Sequence, residues 1–230
     1  MKKSVLLFLA LMTFVPVLWA KLPDRLVFVG QGTNDSVKLS KIGNPKDIEL
    51  FCIKNSGVPT PFVLDSSYGV GVNDTLTLLT HGKNRSFSKS TNDYYQFVIT
   101  GKVAVSGSVM ALVGIGGSII PCDYCFYSLF RQCRGLTTLP KLPATRLKDH
   151  CYERMFEGCS SLVTEADTLP AMTLCRSCYQ SMFENCTSLV KAPVLPASQL
   201  APSCYNAMFR GCASLAQTQD TLPAVVVDTT

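Results

Sequence analysis

Two short phrases recur with one common period in the second half of this 230-residue chain. The first reads Cys-aromatic-x-x-Met/Leu-Phe-x-x-Cys-x-x-Leu. Its four copies are 26, 27 and 26 residues apart and begin at Cys125, Cys151, Cys178 and Cys204. The second phrase, Leu-Pro-Ala, begins at Leu142, Leu169, Leu195 and Leu222. One unit of this length cannot bury its own apolar residues, so we expect the units to stack and share a continuous core.

The apolar members of the first phrase are the predicted core of the repeats, because they return at the same place in every unit. They are Cys125, Phe130, Cys133, Leu136, Cys151, Met155, Phe156, Cys159, Leu162, Cys178, Met182, Phe183, Cys186, Leu189, Cys204, Met208, Phe209, Cys212 and Leu215.

A period of about 26 residues lies within the range of leucine-rich repeats. The spacing of Cys151, Met155 and Phe156 is typical of one face of a helix, so we predict a short helix over 151–157 that ends at Gly158. A short extended piece over 136–139 follows in the first unit. Proline in the Leu-Pro-Ala phrase then turns the chain back. The units are therefore expected to form a solenoid of short strands and short helices over residues 117–230, with the last unit incomplete.

Residues 21–116 have a different pattern, in which short β-branched and aromatic runs alternate with turn-forming residues. We predict strands over 25–29, 36–40, 48–53, 75–79, 95–100 and 103–105. Thr100-Gly101-Lys102 is expected to close a tight hairpin between the last two. The predicted fold class is α+β: an N-terminal antiparallel β domain followed by a leucine-rich-repeat solenoid.

Three stretches resemble a known family: CYERMFEGCSSL, CYQSMFENCTSLVKAPVLPASQL and CYNAMFRGCASL look like BspA-like leucine-rich-repeat surface proteins of anaerobic Gram-negative bacteria. FVITGKVAVSGSVMALV resembles the junction that these proteins place between a β domain and the repeats. The resemblance is specific over 95–230 and looser over 21–94. It implies a non-enzymatic, exported protein that binds host or matrix molecules. The second unit departs from the pattern, with Glu165-Ala166-Asp167 where the third has Ala192-Pro193.

The first twenty residues are typical of a secretory signal peptide. Lys2 and Lys3 precede an apolar run over 5–15, Pro16 interrupts the run, and Ala20 suits cleavage. We expect an exported protein, at the cell surface, associated with the outer membrane or secreted, with no transmembrane span in the mature chain. Charged residues make up only 16% of the chain, and its lysines and arginines are scattered, so we expect no nucleic-acid partner.

Eleven cysteines leave several possibilities open. The two repeated cysteines of a unit could form a disulfide with each other or with a cysteine of a neighbouring unit. Alternatively, they could stay unbridged and stack as ladders of free thiols, and this is the alternative we favour. Cys122 and Cys175 each add a Cys-x-x-Cys motif. Zinc binding and thiol exchange are alternatives there to a structural role, but the pairs are about 50 residues apart and lack a βαβ context. We therefore predict no metal site and no cofactor.

Asp-Ser/Thr-apolar triplets begin at Asp35, Asp74, Asp167 and Asp220 and resemble the bacterial O-glycosylation acceptor; plain turn chemistry is the alternative. His81 and His150 are the only histidines. We discern no nucleophile, base and acid in a pattern that indicates catalysis, so we predict that the protein is not an enzyme.

An exposed strand face is the predicted binding surface, because its side chains are free to vary between units. Its predicted members are Thr137, Thr138, Lys141, Val163, Thr164, Val190, Lys191, Ala216 and Gln217. The expected partner is an extracellular protein or glycan. Two alternatives stay open: an accessory or spacer module for a carbohydrate-active or other downstream domain, and a purely structural envelope protein. Leu222-Pro223-Ala224 would lead to another leading Cys at position 231, so we expect a longer array and a poorly anchored 216–230 stretch.

Overall fold

A computed structural model of the chain describes residues 25–81, 84–114, 117–163 and 168–216. The predicted signal peptide and nearly all of the final 216–230 stretch lie outside these ranges. None of the helices among the described residues is long and apolar enough to cross a membrane.

Eight strands form two antiparallel sheets in the N-terminal part, where antiparallel strands were predicted. They are β1 (Leu26–Gly30), β2 (Asp35–Ile42), β3 (Phe51–Lys54), β4 (Thr60–Pro61), β5 (Tyr68–Val70), β6 (Thr75–Leu79), β7 (Tyr94–Thr100) and β8 (Val103–Gly107). One sheet has the order β4-β3-β6-β1-β8 and the other β5-β2-β7. Buried side chains alternate with half-buried ones along β1, as expected for a strand with one face toward a core. Phe28 on β1 packs against Phe97 on β7, so the two sheets share apolar contacts.

The predicted hairpin between the last two strands is wrong, because β7 and β8 belong to different sheets. Strand β7 pairs with β2, whereas β8 pairs with β1. Asp35 explains the change of sheet: its carboxylate accepts hydrogen bonds from the N–H groups of Gln31 (2.7 Å), Gly32 (2.5 Å) and Lys102 (3.0 Å). Gly101 has a φ of +74° and lies so close to Asp35 that a Cβ would collide with the carboxylate. The turn is therefore held onto the start of β2 and directs β8 to the other sheet.

The repeats contain no α-helix among the described residues, so the α+β fold class and the solenoid of short strands and helices are wrong. The only helix described is a 3-10 turn at Val109–Leu112. Each predicted helix is instead a run of consecutive turns, which we call a turn block: block 1 is 124–133, block 2 is 150–159, block 3 is 177–186 and block 4 is 203–212. The predicted extended pieces are present only as isolated bridges, such as Val103 with Leu136.

A positive φ at every fourth residue is the physical reason for this difference. In block 2 the residues concerned are His150 (57°), Arg154 (55°) and Gly158 (75°), and equivalent positions in the other blocks behave in the same way. A left-handed residue breaks the run of right-handed conformations that an α-helix requires. It also produces an apolar spacing of four residues, which is why the sequence pattern imitates a helix.

Backbone hydrogen bonds join each turn block to the next. Five N–H groups of block 2, at alternate residues from His150 to Gly158, donate to carbonyl oxygens of block 3 or of the residue before it at 2.7–3.0 Å. Blocks 1 and 3 donate to the following block in the same way. Most of the intervening N–H groups bond to the carbonyl three residues back, as Glu157 does to Arg154 (3.2 Å). Buried backbone groups of the blocks are thus satisfied without helix or sheet.

Block 1 packs against strand β7. The Phe97 N–H donates to the Leu129 carbonyl at 2.7 Å, and the Gln96 side-chain amide donates to the Arg131 carbonyl at 2.7 Å. The rings of Phe97 and Phe130 stack at 4.9 Å. From Phe97 one column of stacked rings continues through the four turn blocks, with centroid distances of 5.5–5.8 Å between Phe130, Phe156, Phe183 and Phe209.

A second ring column runs beside the first. It starts from Phe87, which lies between β6 and β7 in the strand-forming part of the chain, residues 26–107, here called the β region. From Phe87 the column continues with ring spacings of 5.8–5.9 Å through Phe126, Tyr152, Tyr179 and Tyr205. One hydrophobic cluster extends from β1 to Met208. All predicted core residues of the repeats are buried in it except Phe209, Cys212 and Leu215 of the fourth unit, which are half-buried.

Replacing Phe156 with alanine should lower the free energy of unfolding by about 3–5 kcal/mol, because a fully buried ring between two stacked neighbours is lost. Urea unfolding measures the change. Val163→Ala is the control, since Val163 is exposed and should cost no more than about 0.5 kcal/mol. A cost below about 1 kcal/mol for Phe156→Ala would contradict the stacked core.

Asp35→Asn should lower the free energy of unfolding by about 1–3 kcal/mol at pH 7. Burial raises the pKa of the Asp35 carboxyl, but hydrogen bonds from Gly32, Gln31 and Lys102 outweigh it, so the folded-state pKa is lowered. The carboxylate therefore stabilises the fold above the unfolded pKa of about 3.9, and this contribution is lost as the pH falls through the folded value. Urea denaturation at a series of pH values should show that the difference in unfolding free energy between wild type and variant shrinks in acid. A difference that does not change with pH would contradict this role of the carboxylate.

Candidate functional site

Seven of the nine predicted binding residues belong to the segments that connect one turn block to the next, and Ala216 and Gln217 follow block 4. These connecting segments are 136–148, 162–175 and 189–201. In the first segment, the hydroxyl groups of Thr137 and Thr138 form hydrogen bonds with the N-terminal strands and loops. The Thr137 hydroxyl donates to the Gln31 side chain (3.1 Å). The Thr138 hydroxyl donates to the Val105 carbonyl (2.6 Å) and accepts from the Val105 N–H (2.7 Å). Both threonines are half-buried and help to fix the repeats to β8.

Other predicted members are open to solvent. Val163 is 51% exposed and Val190 is 45% exposed. Lys141, Lys191 and Ala216 are also exposed. Thr164 and Gln217 lie outside the described residues.

A backbone ladder aligns one row of these residues along the stack. The Val163 N–H donates to the Thr137 carbonyl (3.4 Å), and the Ala216 N–H donates to the Val190 carbonyl (3.1 Å). The structure therefore brings Thr137 next to Val163 and Val190 next to Ala216, each pair at equivalent positions of consecutive units.

Two further exposed apolar side chains on the connecting segments were not predicted. Met172 is 52% exposed and Val194 is 57% exposed. Each flanks a buried Leu-Pro-Ala phrase, Met172 after Ala171 and Val194 before Leu195. The sequence carries one indication of their exposure: the residues next to the Leu-Pro-Ala phrase differ from unit to unit, whereas the phrase itself is constant.

The exposed charge of the connecting segments is mostly basic. Among their described residues the exposed charged side chains are Lys141, Arg146, Lys148 and Lys191, and Arg176 follows directly after the second segment. Glu165 and Asp167 belong to the same segment as Val163 but lie outside the described residues. Four of the 21 lysines and arginines of the chain are thus exposed on the connecting segments.

The charges of the turn blocks, by contrast, are paired with one another. Glu157 accepts hydrogen bonds from Arg131 (3.1 Å) and Arg154 (3.4 Å), and Glu184 pairs with Arg210. Burial raises the pKa of Glu184, but hydrogen bonds from Arg210 and Ser181 outweigh it, so the pKa is lowered. The arginine and glutamate charges of the turn blocks therefore neutralise each other, and the blocks offer little net charge to a binding partner.

The two histidines are both held by neighbours. The His150 ring stacks on Tyr124 at 4.5 Å, and its Nδ1 lies 2.6 Å from a Glu153 carboxylate oxygen. The His81 ring contacts Phe51 edge-on at 5.4 Å. The His150 side chain is half-buried between an aromatic ring and a carboxylate.

All eleven cysteines are free thiols, and the repeated ones form two columns. In one column the thiol donates to the carbonyl of the phenylalanine in the preceding layer: Cys133 to Phe97 (3.2 Å), Cys159 to Phe130 (3.0 Å), Cys186 to Phe156 (3.1 Å) and Cys212 to Phe183 (3.0 Å). The other column consists of Cys125, Cys151, Cys178 and Cys204, all buried. The structure thus contains the ladder arrangement among the alternatives left open by the sequence.

Burial keeps three of the column thiols protonated. It raises the pKa of Cys133 and Cys186 to about 12, and it raises that of Cys178 to about 12 as well. A thiol that stays protonated is a poor nucleophile and a poor metal ligand. Within the described ranges, no group of three His, Cys, Asp or Glu side chains is placed to hold a metal ion.

Two of the Asp-Ser/Thr-apolar triplets can be located. Asp35 caps the turn described above, and the Asp74 carboxylate accepts from the Gly71 N–H (3.1 Å) and the Asn55 side-chain amide (3.0 Å). Both aspartates act in turn chemistry. The triplets at Asp167 and Asp220 begin outside the described residues.

Comparison of the chain with protein-family models, with curated proteins and with solved structures found no match. The likeness to BspA-like proteins therefore stays an expectation based on the quoted sequence phrases. The connecting segments display exposed valines, a methionine and basic side chains on the surface of the repeats.

Alkylation of the folded protein should label cysteines according to their burial. We expect fast labelling only at Cys122, Cys175 and Cys212, which are half-buried, and labelling of all eleven after denaturation without reductant. Mass spectrometry of the digested protein gives the sites. Disulfides within the repeats, found before any reductant is added, would contradict the thiol columns.

Proposed function

We propose that this chain is a non-enzymatic, exported binding protein that contacts an extracellular protein or glycan through its connecting segments. Export rests on the signal-peptide features of the first twenty residues. The observation that carries the binding proposal is the exposure of Val163, Val190, Met172 and Val194 on segments whose backbone is fixed by the stack.

Exposed apolar side chains favour binding when they are grouped and rigidly presented. The connecting segments present these side chains rigidly, because the buried leucine and alanine of each Leu-Pro-Ala phrase anchor them to the core. Valines at the repeated positions add little rotamer entropy to be lost on binding.

The charge distribution favours an anionic partner. Lys141, Arg146 and Lys148 lie on the first connecting segment and are exposed, whereas the arginines of the turn blocks are paired with glutamates. An acidic protein segment or a sulfated or carboxylated glycan would match this surface. Apolar contacts with the valines would add to the electrostatic attraction.

Binding to immobilised heparin, as a sulfated glycan, and to a panel of immobilised matrix proteins tests the proposal. The variant Val163→Asp with Val190→Asp should weaken binding at least about fivefold, because it places charge on the apolar row and repels an anionic partner. Lys141→Glu with Lys148→Glu should act in the same direction and reduce the salt dependence of binding.

The matched control is Val58→Asp with Lys89→Glu, which changes an exposed valine and an exposed lysine among the N-terminal strands and loops. It should leave the affinity unchanged. Equal losses in the control and in either test variant, or no binding to any immobilised ligand, would contradict a binding role for the connecting segments and favour a spacer or structural role.

A further inference from the structure

The net charge of the connecting segments changes along the stack. The first segment, 136–148, contains three basic residues and no acidic one: Lys141, Arg146 and Lys148. The second segment contains two acidic residues and no basic one, and the third contains one lysine and no acidic residue. The net charges are therefore +3, −2 and +1, so the positive charge is concentrated on the segment that adjoins the β region.

Neutral residues replace all three cations later in the stack. The third segment has Val194, Gln199 and Ala201 at the positions of Lys141, Arg146 and Lys148. The stack therefore does not require a positive charge at any of these positions, and the three cations can serve a purpose other than packing.

Hydrogen bonds fix the backbone that carries these cations. The Lys141 N–H donates to the Gly107 carbonyl (2.7 Å). The Arg146 N–H donates to the Ser118 carbonyl (3.0 Å), and the Arg146 carbonyl accepts from the Ile120 N–H (2.9 Å). All three cationic side chains are exposed. A partner therefore meets three positive charges on a backbone that is already ordered, which lowers the entropy cost of binding.

The carboxylates closest to the first segment are occupied by backbone donors. Asp149 directly follows Lys148, but its carboxylate accepts from the Arg176 backbone N–H (3.0 Å). The Asp123 carboxylate accepts from the Asp149 N–H (3.2 Å). Within the described part of the chain, the ion pairs all involve other basic residues. The three cations of the first segment can therefore pair with carboxylates of a partner.

The surroundings of these cations favour a protein partner over a glycan. Ile119 is 43% exposed and is bridged to Arg146 in the neighbouring layer, so an apolar side chain lies beside the charge. The three connecting segments contain no aromatic residue on which a sugar ring would pack. A glycan sulfated along its whole length would also meet a second segment of net negative charge. A short acidic stretch with an apolar neighbour matches the first segment better.

We propose that the first connecting segment is the docking site for a short acidic segment of a partner protein. Carboxylates of the partner pair with Lys141, Arg146 and Lys148, and an adjoining apolar side chain of the partner packs against Ile119. The inference rests on the proposed binding function and narrows it in two respects. The partner is a protein rather than a glycan, and its acidic residues contact one segment rather than all three.

The probe is a fluorescein-labelled synthetic peptide with three consecutive glutamates followed by leucine and valine. The same peptide with glutamines in place of the glutamates is its control. Fluorescence anisotropy with the full-length protein measures both affinities. The acidic peptide should bind at least about fivefold more tightly than the glutamine peptide, and the difference should shrink as the salt concentration rises.

The variant Lys141→Val with Arg146→Gln and Lys148→Ala introduces the residues of the third segment, so it should keep the urea unfolding curve of the wild type. It should bind the acidic peptide at least about fivefold more weakly than the wild type. Lys191→Thr is the matched control, because it removes the cation of the third segment and introduces the threonine that the first two units have at this position. Its affinity should stay within about twofold of the wild type, since a distant exposed charge is screened.

Heparin fragments of increasing length, used as competitors, separate this inference from the broader binding function. We expect longer fragments to compete no better than short ones, because the second segment is negatively charged. Competition that grows with fragment length would overturn the inference, and so would equal losses in Lys191→Thr and the triple variant, or an acidic peptide that binds no better than its control. Binding to immobilised heparin or matrix proteins would then still support the proposed function. No binding to any of these ligands would overturn both.

Discussion

The hydrogen-bond ladder between turn blocks is the interaction on which the repeat region depends. A block made only of turns leaves half of its N–H groups without acceptors within the block, and these groups are buried with the ring columns. Donation to the next block at 2.7–3.0 Å removes that cost. The stacked rings and thiols then fill the space that the ladder spacing leaves between blocks.

The carbonyl groups of block 1 need donors from the layer before them, and strand β7 provides these. Phe97 on β7 donates to block 1 through its N–H, stacks its ring on Phe130 and accepts the Cys133 thiol at its carbonyl. It thereby makes the three contacts that a phenylalanine of a preceding block makes elsewhere in the stack. Asp35 matters for the same reason, since it holds the turn that follows β7.

The sequence predicted the unit, its period and the residues that pack inside it, because side chains that return every 26 residues must meet their own copies. It did not predict the backbone conformation between Cys151 and Gly158, because apolar spacings of four residues arise from an α-helix and from a four-residue turn alike. The feature that separates them is a positive φ at residues such as Arg154, which carry no sequence signature of that conformation. The failed hairpin has a similar origin: the contact that decides it joins Asp35 to Lys102, 67 residues away. On the candidate surface, Val163 and Val190 followed from the period, whereas Met172 and Val194 required knowledge of which flank of a buried phrase faces solvent.

The ladder runs in one direction, with every donor edge facing the following block and every acceptor edge facing the preceding one. A duplicated 26-residue unit inserted between two blocks would meet the same acceptors and donors that its neighbours already use. The number of units is therefore a property that gene duplication changes without altering any existing contact surface. Only block 1 resists such exchange, because its carbonyls are matched to Phe97 and Gln96. The architecture separates a fixed foundation from an array whose length, and with it the extent of the displayed face, is open to evolution.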